Sequence, residues 1–191
     1  MTSPLRAIVL AGGRSSRMGG RHKPAIPVGG VAMVARAVAA LRDAGAEPLV
    51  VGEAHGVPPG VPVVREHPRF SGPLAAVAAG VAELAPAPGG VVLLLGGDMP
   101  FVTPHTLRAL AAAALGGSAG VAVAEDADGR AQPLCAAWTD AALRERLAAL
   151  GDPADRPLRA LYEGAEPIRI PIPAREAMDV DSPDDLRAAG E

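Results

Sequence analysis

The apolar positions of this chain fall into short continuous runs, separated by longer stretches with helical spacing. Residues 6–10 form the first run, and Ala11, Gly12 and Gly13 break it, as a buried strand entering a glycine turn would. Residues 32–44 place Met33, Val34, Ala37, Val38 and Leu41 on one helical face, and Gly45 follows as a stop. Short β-branched runs occupy 48–51 and 61–64, and a second helix is predicted over 73–84, with Pro73 in its first turn. Residues 91–95 are the most apolar run and predict a central strand that ends at Gly96, Gly97 and Asp98. Thr103 and Pro104 open a third helix that reaches Leu115. Residues 121–124 and 132–138 read as two strands around the Asp128-Gly129 turn. Residues 141–150 and 157–162 read as helical. Residues 168–172 read as a late strand that Pro171 confines to an edge or a short length. Ser182, Pro183, Asp184 and Asp185 open a final helix.

Strands and helices alternate over most of the 191 residues, which predicts one α/β domain spanning 1–191, with a mostly parallel sheet and helices on both faces. Composition adds to this picture. Hydrophobic residues make up 49% but aromatics only 2%, so the core must be built from closely packed Ala, Val and Leu. A net charge of −3 argues against a basic nucleic-acid surface, while leaving room for a local phosphate pocket. No apolar run approaches the ~20 residues that span a bilayer. Cys135 has no partner for an internal disulfide and lies in an apolar run, as a small buried side chain would. The N-terminus lacks a signal-peptide layout, so a reducing cytoplasmic location is expected. No heptad or long apolar stripe calls for a dimer, and a monomer is expected. Lys23 is the single lysine among many arginines. A compact ammonium on a flexible stem can do what a planar guanidinium cannot.

Candidate chemistry starts after the first strand. Glycines at Gly12 and Gly13 let backbone N–H groups approach phosphate oxygens, and the cations Arg14, Arg17, Arg21 and Lys23 follow closely. The spacing matches neither the P-loop nor G-x-G-x-x-G. A flexible basic loop is the plain alternative. Placement directly after a buried strand favours phosphate binding, because open α/β sheets bind ligands at the carboxyl ends of their strands. Asp98, at the end of the predicted central strand, either holds a hard cation such as Mg2+ or caps the turn that follows. Asp179 and Asp181 precede the last helix, where Asp181 is either a second metal ligand or part of an ordinary helix start. Glu66 follows a short strand and is either a ligand contact or a solvated carboxylate. His55, His67 and His105 share no metal-ligand spacing and are expected at the surface.

The stretch from Leu10 through Ala11, Gly12, Gly13, Ser15, Arg17, Met18, Gly19 and Lys23 resembles the signature of the nucleotidylyltransferase superfamily. Within it, the chain is most similar to the molybdenum cofactor guanylyltransferases. Weaker matches run along the chain at 71–75, 97–100, 129–134 and 179–183. The resemblance implies a three-layer α/β/α Rossmann-like fold. It implies that Leu10, Ala11, Gly12 and Gly13 wrap the nucleotide, that Lys23 contacts it, and that Arg17 lies on the triphosphate. It makes Asp98 the Mg2+ ligand, Asp181 a candidate second ligand, and Glu66 a nucleotide contact in place of the family's Asp. Gly52 matches a position where relatives offer Asn near the base, and His22 stands where relatives commonly have Asp. Residues Gln132 and Pro133 match an acceptor-side segment.

The implied reaction moves GMP from GTP onto molybdenum-bearing molybdopterin and releases pyrophosphate, with Mg2+ as cofactor, Arg17, Lys23 and Asp98 as catalytic residues, and molybdoenzymes or cofactor-delivery proteins as possible partners. The rivals are a CTP-dependent molybdopterin transferase, a sugar-1-phosphate nucleotidylyltransferase, and a non-catalytic nucleotide-binding module that delivers cofactor.

Overall fold

The computed structural model describes residues 4–13, 22–180 and 183–190. Expectations that fall on Arg14, Arg17, Arg21, Asp181 and Ser182 lie outside these residues. The described strands are β1 (Leu5–Ala11), β2 (Pro27–Val28), β3 (Val31–Ala32), β4 (Glu47–Gly52), β5 (Val63–Val64), β6 (Val91–Gly96), β7 (Val121–Glu125), β8 (Ala131–Thr139) and β9 (Ile168–Pro171). The helices are α1 (Met33–Asp43), α2 (Pro73–Glu83), α3 (Pro104–Gly116), α4 (Asp140–Leu150) and α5 (Pro183–Gly190), with short 3-10 turns at Lys23–Ala25 and Leu158–Tyr162.

The main sheet has the strand order β5-β4-β1-β6-β8-β7-β9. The pairs β5/β4, β4/β1, β1/β6 and β7/β9 are parallel, whereas β8 runs antiparallel to both β6 and β7. The sheet is therefore mostly parallel, as the alternation of elements predicts, with one reversed strand supplied by the β7–β8 hairpin.

Side chains alternate across the sheet, and this period of two builds the layers. Ala7, Val9 and Ala11 of β1 face a core with Leu93 and Leu95, covered by α1 and α3 through Val34, Val38, Leu41, Leu107 and Leu110. Ile8, with Leu94 and Trp138, faces the other core, covered by Leu74 and Val77 of α2, Leu143 of α4 and Leu161. Strand β6 is buried along its whole length, which is why it reads as an unbroken apolar run. A third cluster gathers Ile26, Val28, Met33, Val180 and Ala189 where the β2–β3 hairpin meets the C-terminal segment. Thr103 caps α3, its Oγ1 accepting the Thr106 N–H at 3.3 Å.

Two details differ from the pattern-based reading, and two refine it. The 157–162 segment is helical, as a short 3-10 element over Leu158–Tyr162. The run at 61–64 pairs only over Val63–Val64. Loop character in the sequence continues through Gly29 and Gly30, but this stretch contains a 3-10 turn at Lys23–Ala25 and opens the β2–β3 hairpin, too short to give a periodic signal. Strand β9 is a short edge strand, as Pro171 leads one to expect, and joins β7 in parallel.

The chain leaves β1 towards β4 and β5 on one side, then returns to place β6 on the other side of β1. The strand order reverses there, and ligands of open α/β sheets bind in the crevice at such a point.

Candidate active site

The carboxyl ends of β1, β4 and β6 lie side by side, with Ala11 opposite Gly52 and Leu10 opposite Gly96. Residues immediately beyond those ends must share one rim, which places the Gly12-Gly13 turn beside Asp98. The Gly97 N–H donates to the Leu10 carbonyl at 2.9 Å and ties the two strand ends together. A side chain would crowd two of these junctions. A β-carbon on Gly96 would lie 2.6 Å from Asp98 Oδ1, and one on Gly97 would lie 3.1 Å from the Leu10 carbonyl oxygen.

Lys23 Nζ lies 2.5 Å from Asp98 Oδ2, with the two side chains 13% and 27% exposed. The single lysine, Asp98 and the glycine turn are thus drawn to one corner by a contact spanning 75 positions of sequence. The preceding His22 is half-buried and stacks on His55 with ring centroids 6.4 Å apart. Burial pushes the His22 imidazole below its ordinary value; Glu53 opposes this, and His55 and Arg65 reinforce it. His22 therefore adds little positive charge beside Lys23 at neutral pH.

Two cavities meet at Asp98. One, of about 330 Å3, is walled by Leu10, Gly12, Gly13, Glu66, Phe70 and Asp98 among others. The second, of about 260 Å3, is walled by Asp98, Met99, Gln132, Pro133, Leu158 and Asp179. Pro73, Asp98 and Leu134 belong to both walls. The Val180 N–H donates to the Asp98 carbonyl at 3.2 Å, which holds the 179–180 segment against this corner. Gln132 reaches its place because β8 runs antiparallel to β6, and its Nε2 donates to Asp126 Oδ2 at 2.9 Å.

Of the residues singled out from sequence, Leu10, Gly12, Gly13, Glu66 and Asp98 line the larger cavity. Lys23 joins them through Asp98. Ala11 is fully buried and contributes backbone only. Gly52 lines a shallow notch beside the glycine turn, together with Glu53, Arg65, Glu66, Arg69 and Phe70. His55, His67 and His105 are exposed. Among the described residues, no three His, Cys, Asp or Glu side chains group as metal ligands, and no helix is long and apolar enough to cross a membrane.

Sequence reasoning missed Glu53, Arg65, Arg69 and Phe70. Glu53 accepts from Arg65 and, at 3.0 Å, from Arg69, while Arg65 Nε donates to the Gly52 carbonyl at 3.1 Å. Nothing in the spacing of these residues marks them. Phe70 carried one available signal, as one of two phenylalanines in the chain.

The family model of the MobA-like NTP transferase domain matches residues 7–169, which includes every element of this rim. The chain belongs to this family. The transferase is also 33% identical over 175 residues to a probable molybdenum cofactor guanylyltransferase of Mycobacterium tuberculosis, covering 88% of this chain and 84% of that one. A molybdenum cofactor guanylyltransferase of Mesorhizobium japonicum is 34% identical over 145 residues, covering 72% and 68% of the two chains. Among solved structures, a nucleotidyl transferase from Methanothermobacter superposes with a TM-score of 0.72 at 27% identity, over 98% of this chain and 97% of that one. The protein is thus a nucleotidyltransferase of this superfamily, with the Rossmann-like α/β architecture that its sequence implies.

Proposed function

We propose that this transferase moves GMP from GTP onto molybdenum-bearing molybdopterin and releases pyrophosphate. The observation that carries the reading is the pair of cavities sharing Asp98, because group transfer between two substrates needs two sites that meet at the reacting atoms. The cavity bounded by the glycine turn takes the nucleotide, and the one bounded by Gln132 and Pro133 takes the acceptor. The names of the curated relatives support the choice of guanine donor and molybdopterin acceptor.

The acceptor's phosphate oxygen attacks the α-phosphorus of the NTP, and the bond to the pyrophosphate oxygen breaks. A phosphate is already ionised at neutral pH, so the protein needs no strong base. Its residues contribute position and charge. Backbone N–H groups of Gly12 and Gly13 hold phosphate oxygens where no β-carbon intervenes. Lys23 stabilises negative charge that develops on the phosphates. Arg17 would act on the same charge.

Asp98 fits a Mg2+ ion that arrives with its nucleotide. Mg2+ keeps several waters and takes substrate phosphate oxygens, so it needs only one or two protein carboxylates. Asp98 offers a partly exposed carboxylate on the cavity wall, and Asp181 is the candidate second ligand. When bound, the ion would supply Lewis-acid polarisation of the α-phosphate.

Pyrophosphate release, measured with each of the four NTPs and with molybdopterin or sugar 1-phosphates, tests the reading. Release with GTP and molybdopterin, abolished by Asp98→Ala with unchanged thermal unfolding, is the expected result. Release with CTP or a sugar phosphate would replace the donor or acceptor. Nucleotide binding without release, or full activity of the Asp98→Ala variant, would overturn the proposal.

A further inference from the structure

From the rim beside the glycine turn, we infer that Glu53 reads the edge of the guanine base and that Phe70 is the surface on which the base stacks. This rests on the donor site proposed above. Gly52, at the end of β4 beside the glycine turn, cannot carry a side chain here. Its β-carbon would lie 2.4 Å from both the carbonyl carbon and the oxygen of Ala11. A base next to the Gly12-Gly13 turn must then be read by a neighbour, and the next residue along the chain is Glu53.

Glu53 is built as a fixed acceptor. Arg65 donates to Oε2, and Arg69 donates to Oε1 at 3.0 Å. Arg65 is itself pinned by its Nε to the Gly52 carbonyl at 3.1 Å. An ionised carboxylate has about four acceptor positions, so two arginine bonds leave room for two more. Guanine presents two adjacent donors, N1–H and the 2-amino group, and a carboxylate can accept both. Adenine presents an acceptor at N1, which would face the carboxylate oxygens unfavourably. Hypoxanthine keeps N1–H and lacks the amino group.

Phe70 supplies the flat face. In a chain with 2% aromatic residues it is 46% exposed, at the wall of both the larger cavity and the notch that contains Glu53. Its backbone has a φ of 65°, a conformation a bulky side chain rarely adopts. The Phe70 N–H donates to Glu66 Oε1 at 2.9 Å, and the Arg69 guanidinium carbon lies 5.4 Å from the ring centroid. Strained backbone of this kind persists only where its surroundings hold it, and it concentrates at ligand sites. Glu66 thus positions Phe70, and Arg69 connects the stacking surface with the edge-reading carboxylate.

Calorimetric titration of the full chain with GTP, ITP and ATP, each with Mg2+, tests the inference. The wild type is expected to bind GTP about tenfold more tightly than ITP, and ATP most weakly. Glu53→Ala should bring GTP and ITP to one common affinity, below that of ITP for the wild type, and Glu53→Gln, which keeps the length but loses one acceptor, should fall between. Phe70→Ala should weaken GTP and ITP alike by about tenfold, since stacking is tolerant of base identity. A GTP-to-ITP ratio left unchanged by both Glu53 variants overturns the edge reading, and Glu53 is then only a surface ion-pair partner. Unchanged affinities in Phe70→Ala overturn the stacking role. Equal GTP and ITP affinity in the wild type overturns the inference while the donor site stands. Failure of the folded wild type to bind any triphosphate would sink the donor site itself.

Discussion

Replacing Gly52 by alanine tests the geometry on which the glycine turn depends. At φ 138° the residue has a backbone conformation that L side chains rarely adopt, and its added β-carbon would meet Ala11 at 2.4 Å and the Gly12 nitrogen at 2.6 Å. Ordinary carbon contacts lie near 3.5 Å, so the ends of β4 and β1 must separate by about 1 Å. Both obstructing groups are backbone, and Ala11 is fully buried, so no side chain can swing aside. The conformational cost is about 1–3 kcal/mol and the steric cost about 1–3 kcal/mol, giving roughly 2–6 kcal/mol in total. Gly60→Ala is the matched control. Its φ is 78° and its β-carbon would meet nothing within 4 Å, so only the conformational cost applies. Urea unfolding followed by circular dichroism compares the two. The strand end could instead fray by giving up the Glu53 N–H bond to the Ala11 carbonyl, 3.3 Å long. That outcome would spare stability but displace Glu53 and lower nucleotide affinity. The reasoning is refuted if Gly52→Ala matches Gly60→Ala within about 0.5 kcal/mol and binds GTP like the wild type.

Further outcomes follow from Asp140, Cys135 and Lys23. Asp140 accepts from Arg6 at 2.8 Å, Arg144 at 3.0 Å and the Ala87 N–H at 3.0 Å, and its side chain is 3% exposed. Asp140→Ala leaves Arg6 buried without its carboxylate, and urea unfolding should show a loss of about 3–5 kcal/mol. Burial raises the Asp140 carboxyl, but the Ala87 N–H, Arg144 and Arg6 outweigh it and set the folded value below the ordinary one. This stabilisation is therefore complete above the ordinary carboxylate range and disappears as pH falls through the lowered value; Asp140→Asn should flatten that acid dependence in stability measured against pH. Burial pushes the Cys135 thiol up to about 12, with Glu176 adding to the effect, so a thiol reagent at pH 8 should label the chain only after denaturation. Rapid labelling of the native protein would contradict the packing. Lys23→Arg should lower kcat/KM for pyrophosphate release by about 10–100-fold, because a planar fork cannot replace an ammonium 2.5 Å from Asp98. Full activity of that variant would reduce the lone lysine to a compositional accident.

The layered architecture was legible because it rests on local periodicity. Val34, Val38 and Leu41 of α1 announce a helix face, and 91–96 announces a strand covered on both sides. What periodicity cannot encode is pairing. Strand β8 reads as one arm of a hairpin, and nothing in its residues says that its other edge inserts against β6. The short elements failed for a different reason: two-residue strands such as Val63–Val64 contain no complete period.

The site divides along the same line. Gly12, Gly13 and Asp98 could be found because a glycine turn and a carboxylate immediately after apolar runs must emerge at strand ends. Once β1 and β6 are parallel neighbours, their convergence follows. The Lys23–Asp98 contact adds what strand order alone does not, since Lys23 lies on a 3-10 turn outside the main sheet. Glu53, Arg65, Arg69 and Phe70 come from the β4 end and the segment after β5, where an ordinary solvated loop would have the same composition. Their arrangement depends on an absence at Gly52. A missing β-carbon lets β4 close on the glycine turn, and the closure delivers the next carboxylate to the notch. Sequence displays that glycine plainly, but only the distance to Ala11 shows that it is required.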